Sequence, residues 1–292
     1  METGEYAFIL NPIAGNGFAL ETMEKIEAVM KQRDLPYRIL RTECPGNATE
    51  LASQLAEEPG VRAVISVGGD GTAFEVASGV MNTGKPMGLI PAGTGNDFIK
   101  TAKIPKDPME ALEVALRGNA TRVDMGRLDE GSFLNVCGTG FDVTVLDYAE
   151  SLKQRYRGLT PYFLGLLKAI AHYKPVRLKV EIDGKREEGE YLICSVANGR
   201  FIGGGIPICP AAELEDGKLD VVLVENVPRR RIPFYLPGLM MGRILNFRVA
   251  RHVLAEEVRL EGENMRVNVD GEIFSMERVT FAIRKKALNL IR

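Results

Sequence analysis

Three short segments combine glycine with small polar residues, a composition that suits the binding of phosphate groups. They cover residues 11–17, 68–72 and 91–97, and each one follows an apolar run and precedes a helical pattern. Glycine lets backbone N–H groups converge on an anion and leaves room where a Cβ would clash. The helix that follows adds free N–H groups and a partial positive charge. Together the three turns predict a polyphosphate site.

Polar side chains within these turns add to that chemistry. Thr72 and Thr94 offer hydroxyl donors, while Asp70 and Glu75 suit a magnesium ion, its waters or a ribose. The chain contains no G-x-x-x-x-G-K-[ST] sequence, so it is not a P-loop enzyme. The turns also do not fit G-x-G-x-x-G, which disfavours a standard dinucleotide fold.

A second pair of carboxylates lies near the C-terminus, at Asp270 and Glu272. On an extended segment, two residues this far apart point to the same face. They are therefore candidates for removing a proton from a substrate hydroxyl. The alternative is a plain hairpin turn, because Asp-Gly favours hairpins and the chain uses the same pair at residues 183–184.

The elements that must position the glycine turns follow an alternating pattern over about 125 residues. The patterns predict strands at residues 6–10, 37–40, 61–67 and 87–90 and helices at residues 18–33, 74–81 and 109–117. A further helix is predicted with Asn47 or Thr49 as its cap, and another begins at Asp97. This alternation predicts a parallel sheet with helices on both faces, which binds ligands at the carboxyl ends of its strands.

After Asp124 the pattern changes to strands in succession. Strands are predicted at residues 133–136, 177–182, 191–197, 219–225, 257–260, 266–269 and 279–283, with helices near residues 160–173 and 234–249. The second half is therefore expected to be mostly antiparallel, with a β-sandwich as the best interpretation.

Composition limits the class of protein. The chain has 292 residues, 45% of them hydrophobic and 26% charged, as in ordinary globular proteins. Its net charge of −2 gives no overall basic field, so we expect no nucleic-acid partner. The four cysteines lack metal-site spacing, and no apolar run reaches 18 residues. These features predict a cytoplasmic protein.

Six segments carry a resemblance to a known family. They read NPIAGNG, SVGGDGTAFEV, PAGTGNDF, GTGFD, GGGIPICPAAELEDGKLDVVLV and VNVDGE. The run GGDGT resembles the signature shared by NAD kinases, phosphofructokinases and diacylglycerol or sphingosine kinases. The whole ordered set is similar to the bacterial soluble diacylglycerol kinase-like lipid kinases.

The resemblance implies a fold with two domains. Residues 1–125, together with a last strand at about 279–292, would form a phosphofructokinase- or NAD kinase-like α/β nucleotide-binding domain. Residues 126–278 would form an antiparallel β-sandwich for the lipid substrate.

The resemblance also implies a set of site residues. The implied ATP contacts are Asn11, Pro12, Gly15, Thr42, Gly68, Gly69, Asp70, Gly71, Thr72, Glu75, Gly93, Thr94, Asn96 and Asp97. Glu272 matches the family's catalytic base, with Asp70 as its rival and Asp270 as a further catalytic candidate. The chain departs from the family at Asn16, where a basic residue is frequent, and at Phe74, where Asn is frequent.

A structural magnesium ion is implied at the acidic segment of residues 213–218. Asp216 would supply its carboxylate, Glu213 and Lys218 would supply carbonyls, and Asp124 would support the ion or the site nearby. Without the resemblance, this segment is interpreted as an acidic turn.

Two segments are basic and apolar. Between residues 151 and 180 the basic residues are Lys153, Arg155, Arg157, Lys168, Lys174, Arg177 and Lys179. Between residues 227 and 255 they are Arg229, Arg230, Arg231, Arg243, Arg248 and Arg251. Large apolar residues occur among them, a combination that suits contact with an anionic bilayer, although core-packed helices are the alternative.

These features predict a kinase that uses ATP and Mg²⁺ to phosphorylate diacylglycerol or a similar lipid alcohol at the inner face of the membrane. The alternatives are an NAD kinase-like enzyme with a soluble substrate and an inactive lipid-binding protein of the same fold. For the oligomeric state, the sequence is compatible with a monomer and with a homodimer.

Overall fold

The first half of the chain alternates strands and helices, as predicted. A computed structural model describes residues 4–129, 131–153 and 160–292. The strands are β1 (Glu5–Leu10), β2 (Tyr37–Arg41), β3 (Val61–Gly68) and β4 (Pro86–Pro91). The helices are α1 (Phe18–Gln32), α2 (Asn47–Glu57), α3 (Asp70–Val80), α4 (Phe98–Ala102) and α5 (Pro108–Arg117).

The four strands form a parallel sheet in the order β2-β1-β3-β4. Successive side chains of β1 enter opposite cores: Ala7 and Ile9 pack into one, and Phe8 and Leu10 into the other. This is the period of two expected for a strand that is covered on both faces. The sheet predicted from the alternating pattern is therefore confirmed.

The predicted cap of α2 was wrong. Gly46, in a left-handed conformation with φ of 84°, precedes the helix, and neither Asn47 nor Thr49 caps it. Instead, Glu75 of α3 accepts a hydrogen bond from the Ala48 amide through Oε2 at 3.0 Å. The acceptor comes from a neighbouring helix, which a local pattern does not reveal.

The second half is dominated by antiparallel strands. They are β5 (Ala120–Leu128), β6 (Gly131–Phe133), β7 (Val136–Gly140), β8 (Val176–Ile182), β9 (Lys185–Ala197), β10 (Phe201–Ile202), β11 (Ile206–Pro207), β12 (Leu219–Glu225), β13 (Ala250–Ala255), β14 (Glu257–Val269) and β15 (Glu272–Ile291). The helices are α6 (Phe141–Lys153), α7 (Thr160–His172) and α8 (Ile232–Met240), and the 3₁₀ turns are Ala14–Gly17, Arg229–Arg231 and Ile244–Asn246.

Long strands connect the layers of the predicted sandwich. β9 pairs with β8 through its first half and with β7 and β12 through its second half. One apolar core includes Phe133, Val221 and Phe281, and a second lies under α6, α7 and α8. The β-sandwich and the overall fold class are confirmed.

Two predicted elements differ from the structure. The helix expected at residues 234–249 ends at Met240, and Gly242, with φ of 68°, follows it before β13 begins. The strand expected at residues 133–136 is split between β6 and β7. The intervening amides bond to a side chain, described below, instead of to a neighbouring strand. Helix α6 and strand β5 were not predicted.

The last strand joins the two halves. β15 pairs with β14 in the sandwich, and then Asn289 and Leu290 pair in parallel with Pro86 and Met87 of β4. The Asp-Gly hairpin turns at residues 183–184 and 270–271 are confirmed. The domain limits themselves stay a prediction. Within the described ranges, no helix is both long and apolar enough to cross a bilayer.

Candidate active site

The first two glycine turns meet where the strand order reverses. β1 lies between β2 and β3, so the turns after β1 and β3 flank the point where α/β sheets open a crevice. The Asn11 Nδ2 group donates to Thr72 Oγ1 at 3.1 Å across this point. The Asn11 amide also donates to the Val67 carbonyl at 3.1 Å. The two turns therefore form one surface.

The third turn packs directly on the other two. The Ala92 amide donates to the Gly68 carbonyl at 2.7 Å, and a Cβ on Gly69 would lie 3.2 Å from the Gly93 Cα. A Cβ on Gly15 would collide with the Ala92 carbonyl oxygen. Backbone contacts this close require glycine. The structure thus brings all three turns together at one edge of the sheet.

Asn96 gives the third turn its shape. Its side chain accepts from the Gly93 amide at 3.1 Å and donates to the Gly93 carbonyl at 2.8 Å. Its backbone is left-handed, with φ of 49°, which Asn tolerates better than most residues. Asn96 therefore closes the turn on itself.

Asp70 begins α3 and is held by the third turn. Its Oδ1 atom accepts from the Asp97 amide at 2.7 Å and from the Phe98 amide at 3.1 Å, at the start of α4. Burial raises the pKa of the Asp70 carboxyl above its ordinary value. These contacts fix the carboxylate between two of the glycine turns.

The other predicted ATP contacts lie around this junction. Thr42 follows β2, and its amide donates to the Leu10 carbonyl at 2.9 Å. Pro12 lies in the first turn, Gly71 is the second residue of α3, and Thr94 is exposed in the third turn. These positions border the same edge of the sheet, and their contacts with ATP stay a prediction.

Glu75 is engaged with α2. One carboxylate oxygen accepts from Ala48, as described above, and the Glu75 carbonyl accepts from Thr49 Oγ1 at 3.0 Å. Its clearest role is therefore to tie α3 to α2.

The expectation that Asp270 and Glu272 share one face of an extended segment was wrong. Asp270 is left-handed, with φ of 47°, and Val269 pairs with Glu272 across the Asp270-Gly271 turn. The turn thus separates the two carboxylates, and Glu272 is exposed at the start of β15.

Asp270 anchors the segment between β6 and β7. Its carboxylate accepts from the amides of Leu134, Asn135 and Val136 at 2.5, 2.9 and 3.0 Å. Burial raises the pKa of Asp270 to about 6, and the negative charge of Asp70 adds to this rise. Leu134, whose amide bonds to Asp270, packs in the same apolar core as Phe98, which follows the third glycine turn.

Replacing Asp270 by Ala should lower the free energy of unfolding by about 3 kcal/mol, because three amides in a buried segment lose their acceptor. Urea unfolding measures this loss. Asp183→Ala is the matched control. Asp183 lies in the other Asp-Gly turn and accepts from the exposed amides of Glu256 and Glu257, so a loss of about 1 kcal/mol or less is expected. Equal losses in the two variants would contradict the anchoring role.

The predicted magnesium segment lies against Asp124. This buried carboxylate accepts from the Gly217 amide and from the Lys286 amide, both at 2.7 Å. Burial raises the pKa of Asp216, and the charges of Asp124 and Glu213 raise it further. Asp124 therefore contacts the backbone of this segment at Gly217. The Lys218 side chain pairs with Glu256 at 2.9 Å.

Sequence reasoning missed two residues at the junction of the halves. Lys100 forms an ion pair with Asp97 at 2.7 Å, and the Gly204 amide donates to the other Asp97 oxygen at 2.8 Å. The spacing of Lys100 three residues after Asp97 and the run of three glycines at 203–205 were the available signals.

Comparison with known proteins agrees with this fold. Residues 5–128 match the diacylglycerol kinase catalytic domain, and residues 135–292 match the YegS C-terminal NAD kinase beta sandwich-like domain. A diacylglycerol kinase of Mycobacterium tuberculosis is 28% identical over 93% of this chain and 89% of its own length. A probable lipid kinase YegS-like protein of Chromohalobacter salexigens is 30% identical over 94% and 90%.

A solved structure shows the same fold. The crystal structure of a diacylglycerol kinase from Bacillus anthracis superposes with a TM-score of 0.71 at 22% identity, covering 99% of this chain and 96% of that one. The two matched domains and the kinase relatives support a kinase of the diacylglycerol kinase type. The chain belongs to the family of diacylglycerol kinases and YegS-like lipid kinases.

Proposed function

We propose that this protein transfers the γ-phosphate of ATP to the hydroxyl of diacylglycerol or a similar lipid alcohol. The observation that carries the proposal is the convergence of three glycine turns at the point where the strand order reverses. Backbone amides and the N-terminus of α3 are suited to a triphosphate there. The kinase relatives support ATP as the donor.

We also propose a magnesium ion at the acidic segment of residues 213–218. Among the described residues, no three His, Cys, Asp or Glu side chains cluster as a metal site. A hard cation at the 213–218 segment would therefore take the Asp216 carboxylate, backbone carbonyls of Glu213 and Lys218, and water. A magnesium ion bound with ATP would neutralise charge on the transferred phosphoryl group.

The proton of the acceptor hydroxyl needs a base. Asp70 is fixed beside the glycine turns, whereas Glu272 is exposed beside the Asp270-Gly271 turn. Both carboxylates remain candidates for this role. Asp270 has three amide donors on its carboxylate, which suits positioning better than proton transfer.

We assign membrane contact to a surface formed by the turn Arg229–Arg231 and helices α7 and α8, called the basic-apolar surface. Large side chains are exposed on its helices and directly after α8: Phe163, Leu167, Phe234, Met240 and Met241 are 50–69% exposed. Within the described ranges, no ion pair or hydrogen bond involves the side chains of Arg230 and Arg231. Exposed apolar groups beside free cations suit an anionic bilayer.

Arg229 connects the two basic segments found in the sequence. Its side chain donates to the Tyr173 carbonyl at 2.7 Å and to the Ala171 carbonyl at 3.2 Å, at the end of α7. The turn Arg229–Arg231 is thus tied to α7 and leads directly into α8. Arg155 and Arg157 lie outside the described residues.

A double substitution, Arg230→Gln with Arg231→Gln, should weaken binding to phosphatidylglycerol-containing vesicles roughly 30-fold. Each basic residue near such a surface contributes about 1 kcal/mol, and the two losses add. Vesicle co-sedimentation at low salt measures the change. Lys25→Gln with Lys31→Gln removes the same charge from α1 and should leave binding unchanged. A similar loss of vesicle binding in both double variants would contradict membrane contact through the basic-apolar surface.

The reaction itself is tested with γ-labelled ATP, magnesium and a total lipid extract. The proposal expects label in a lipid product that comigrates with phosphatidic acid or a related phospholipid. Label in NADP with NAD as the acceptor, and none in lipid, would establish the NAD kinase-like alternative. ATP binding without transfer to any of these acceptors would instead support the inactive lipid-binding protein.

A further inference from the structure

The hairpin formed by β10 and β11 lies between the basic-apolar surface and the glycine turns. Its tip is the glycine run 203–205, and all three residues have positive φ. At its base, Pro207 contacts the turn after α8: a Cβ on Gly242 would lie 3.0 Å from the Pro207 ring. At its tip, the Gly204 amide donates to Asp97. The hairpin therefore spans from α8 to the third glycine turn.

Side chains of helix α4 contact this hairpin and the residue before it. The Arg200 amide donates to Thr101 Oγ1 at 2.9 Å. The Lys100 Nζ atom lies 6.0 Å from the centre of the Phe201 ring and donates to the Gly95 carbonyl at 3.2 Å. These contacts join the third glycine turn to the C-terminal half of the chain.

Asp97 is where these contacts converge. Its side chain is buried, and its two oxygens accept separately from Lys100 Nζ and the Gly204 amide. Its own amide donates to Asp70 Oδ1. Asp97 thus contacts the Asp70 carboxylate through its backbone amide and the 201–207 hairpin through its side chain. Both side-chain oxygens of Asp97 are thus engaged in contacts within the protein.

We infer that Asp97 is a positioning residue: it holds the 201–207 hairpin against the third glycine turn, so that the acceptor and the phosphate donor are aligned at Asp70. This inference rests on the proposed lipid kinase function for its kinetic consequence. Its structural consequence, the anchoring of the hairpin, does not depend on that function.

The kinetic test compares Asp97→Ala and Asp97→Asn with the wild-type protein. A misplacement of about 1 Å can cost on the order of 10²-fold in rate, so kcat should fall at least about tenfold in Asp97→Ala. The KM for ATP should change less than about threefold, because the glycine turns stay intact. Asp97→Asn keeps one carbonyl oxygen, which can serve Lys100 or Gly204 but not both, so its kcat should be intermediate.

The structural test measures hydrogen exchange in a peptide that covers residues 201–207. Because the Gly204 amide loses its acceptor, its exchange should accelerate at least about tenfold in Asp97→Ala and less in Asp97→Asn. Asp107→Ala is the matched control. Asp107 also accepts two hydrogen bonds at a helix start, from the amides of Met109 and Glu110, but it lies at α5. Its removal should leave the hairpin and kcat unchanged.

Three results would overturn the inference. They are unchanged exchange of residues 201–207 in both Asp97 variants, an equal fall of kcat in Asp107→Ala, and a rise in the KM for ATP with kcat unchanged. If Asp97→Ala does not fold, Asp97→Asn still tests the inference through its exchange rate. If the wild-type protein phosphorylates no lipid, the proposed function fails, while the exchange measurements still decide whether Asp97 anchors the hairpin.

Discussion

Replacing Asp70 by Asn should lower the rate of phosphoryl transfer from ATP to lipid on the order of 10³-fold. The substitution keeps an oxygen that can accept from the Asp97 and Phe98 amides, so the local fold should survive. It removes the negative charge beside the glycine turns, and with it a base or a ligand for magnesium. Loss of a positioned acid or base typically costs 10²–10⁴-fold. Transfer of labelled phosphate at saturating ATP measures the effect.

Asp107→Asn provides the control for this substitution. Asp107 Oδ1 also accepts from two backbone amides at the start of a helix, at 2.9 and 3.0 Å, but it lies away from the glycine turns. This variant should transfer phosphate at the wild-type rate. If Asp70→Asn retained more than about a tenth of the activity, Asp70 would have no essential role in the transfer.

Replacing Gly93 by Ala should weaken ATP binding at least about 100-fold, or roughly 2.7 kcal/mol. The new Cβ would collide with the Gly69 Cα and lie 3.0 Å from Asn96 Oδ1. Neither obstacle is the flexible end of a long side chain, so the second and third turns would have to move apart. The amides that converge on the phosphates would then separate. Isothermal titration calorimetry with ATP and magnesium measures the loss.

Gly60→Ala is the control for this prediction. Gly60 precedes β3, is exposed, and has no heavy atom within 4 Å of an added Cβ. ATP affinity should be unchanged in this variant. Wild-type affinity in Gly93→Ala would show that the contact between the second and third turns is not part of the nucleotide site.

The α/β half was predictable because its signals are local. Apolar runs of strand length, helical spacing and glycine turns occur in a repeating order, and parallel pairing follows from that order. The same reasoning placed the turn after β1 next to the turns after β3 and β4. The structure agrees, with Asn11 bonded to Thr72 and Gly69 packed on Gly93.

Elements with weaker local signals were missed. β5 contains Arg122, Asp124 and Arg127, and these charged residues interrupt its apolar pattern. Asp124 is nevertheless buried, because amides of Gly217 and Lys286 bond to it. α6 follows β7 directly at Gly140, which has φ of 123°, and this glycine did not by itself predict a helix.

The largest errors concern side chains whose partners are distant in sequence. Asp270 bonds to amides about 135 positions away, and Asp97 bonds to Gly204, 107 positions away. From its spacing, Asp270 was expected on an extended strand, although its left-handed backbone turns it toward the segment between β6 and β7. The residue types of the site were therefore predictable, whereas their division between binding and positioning required the fold.

The position of the triphosphate tests this account most directly. A crystal structure with a non-hydrolysable ATP analogue and magnesium would locate it. We expect the phosphates to lie within hydrogen-bonding distance of backbone amides in residues 68–72 and 93–97, with Asp70 beside the γ-phosphate. An analogue bound elsewhere on the molecule, with these turns free of phosphate, would contradict the account.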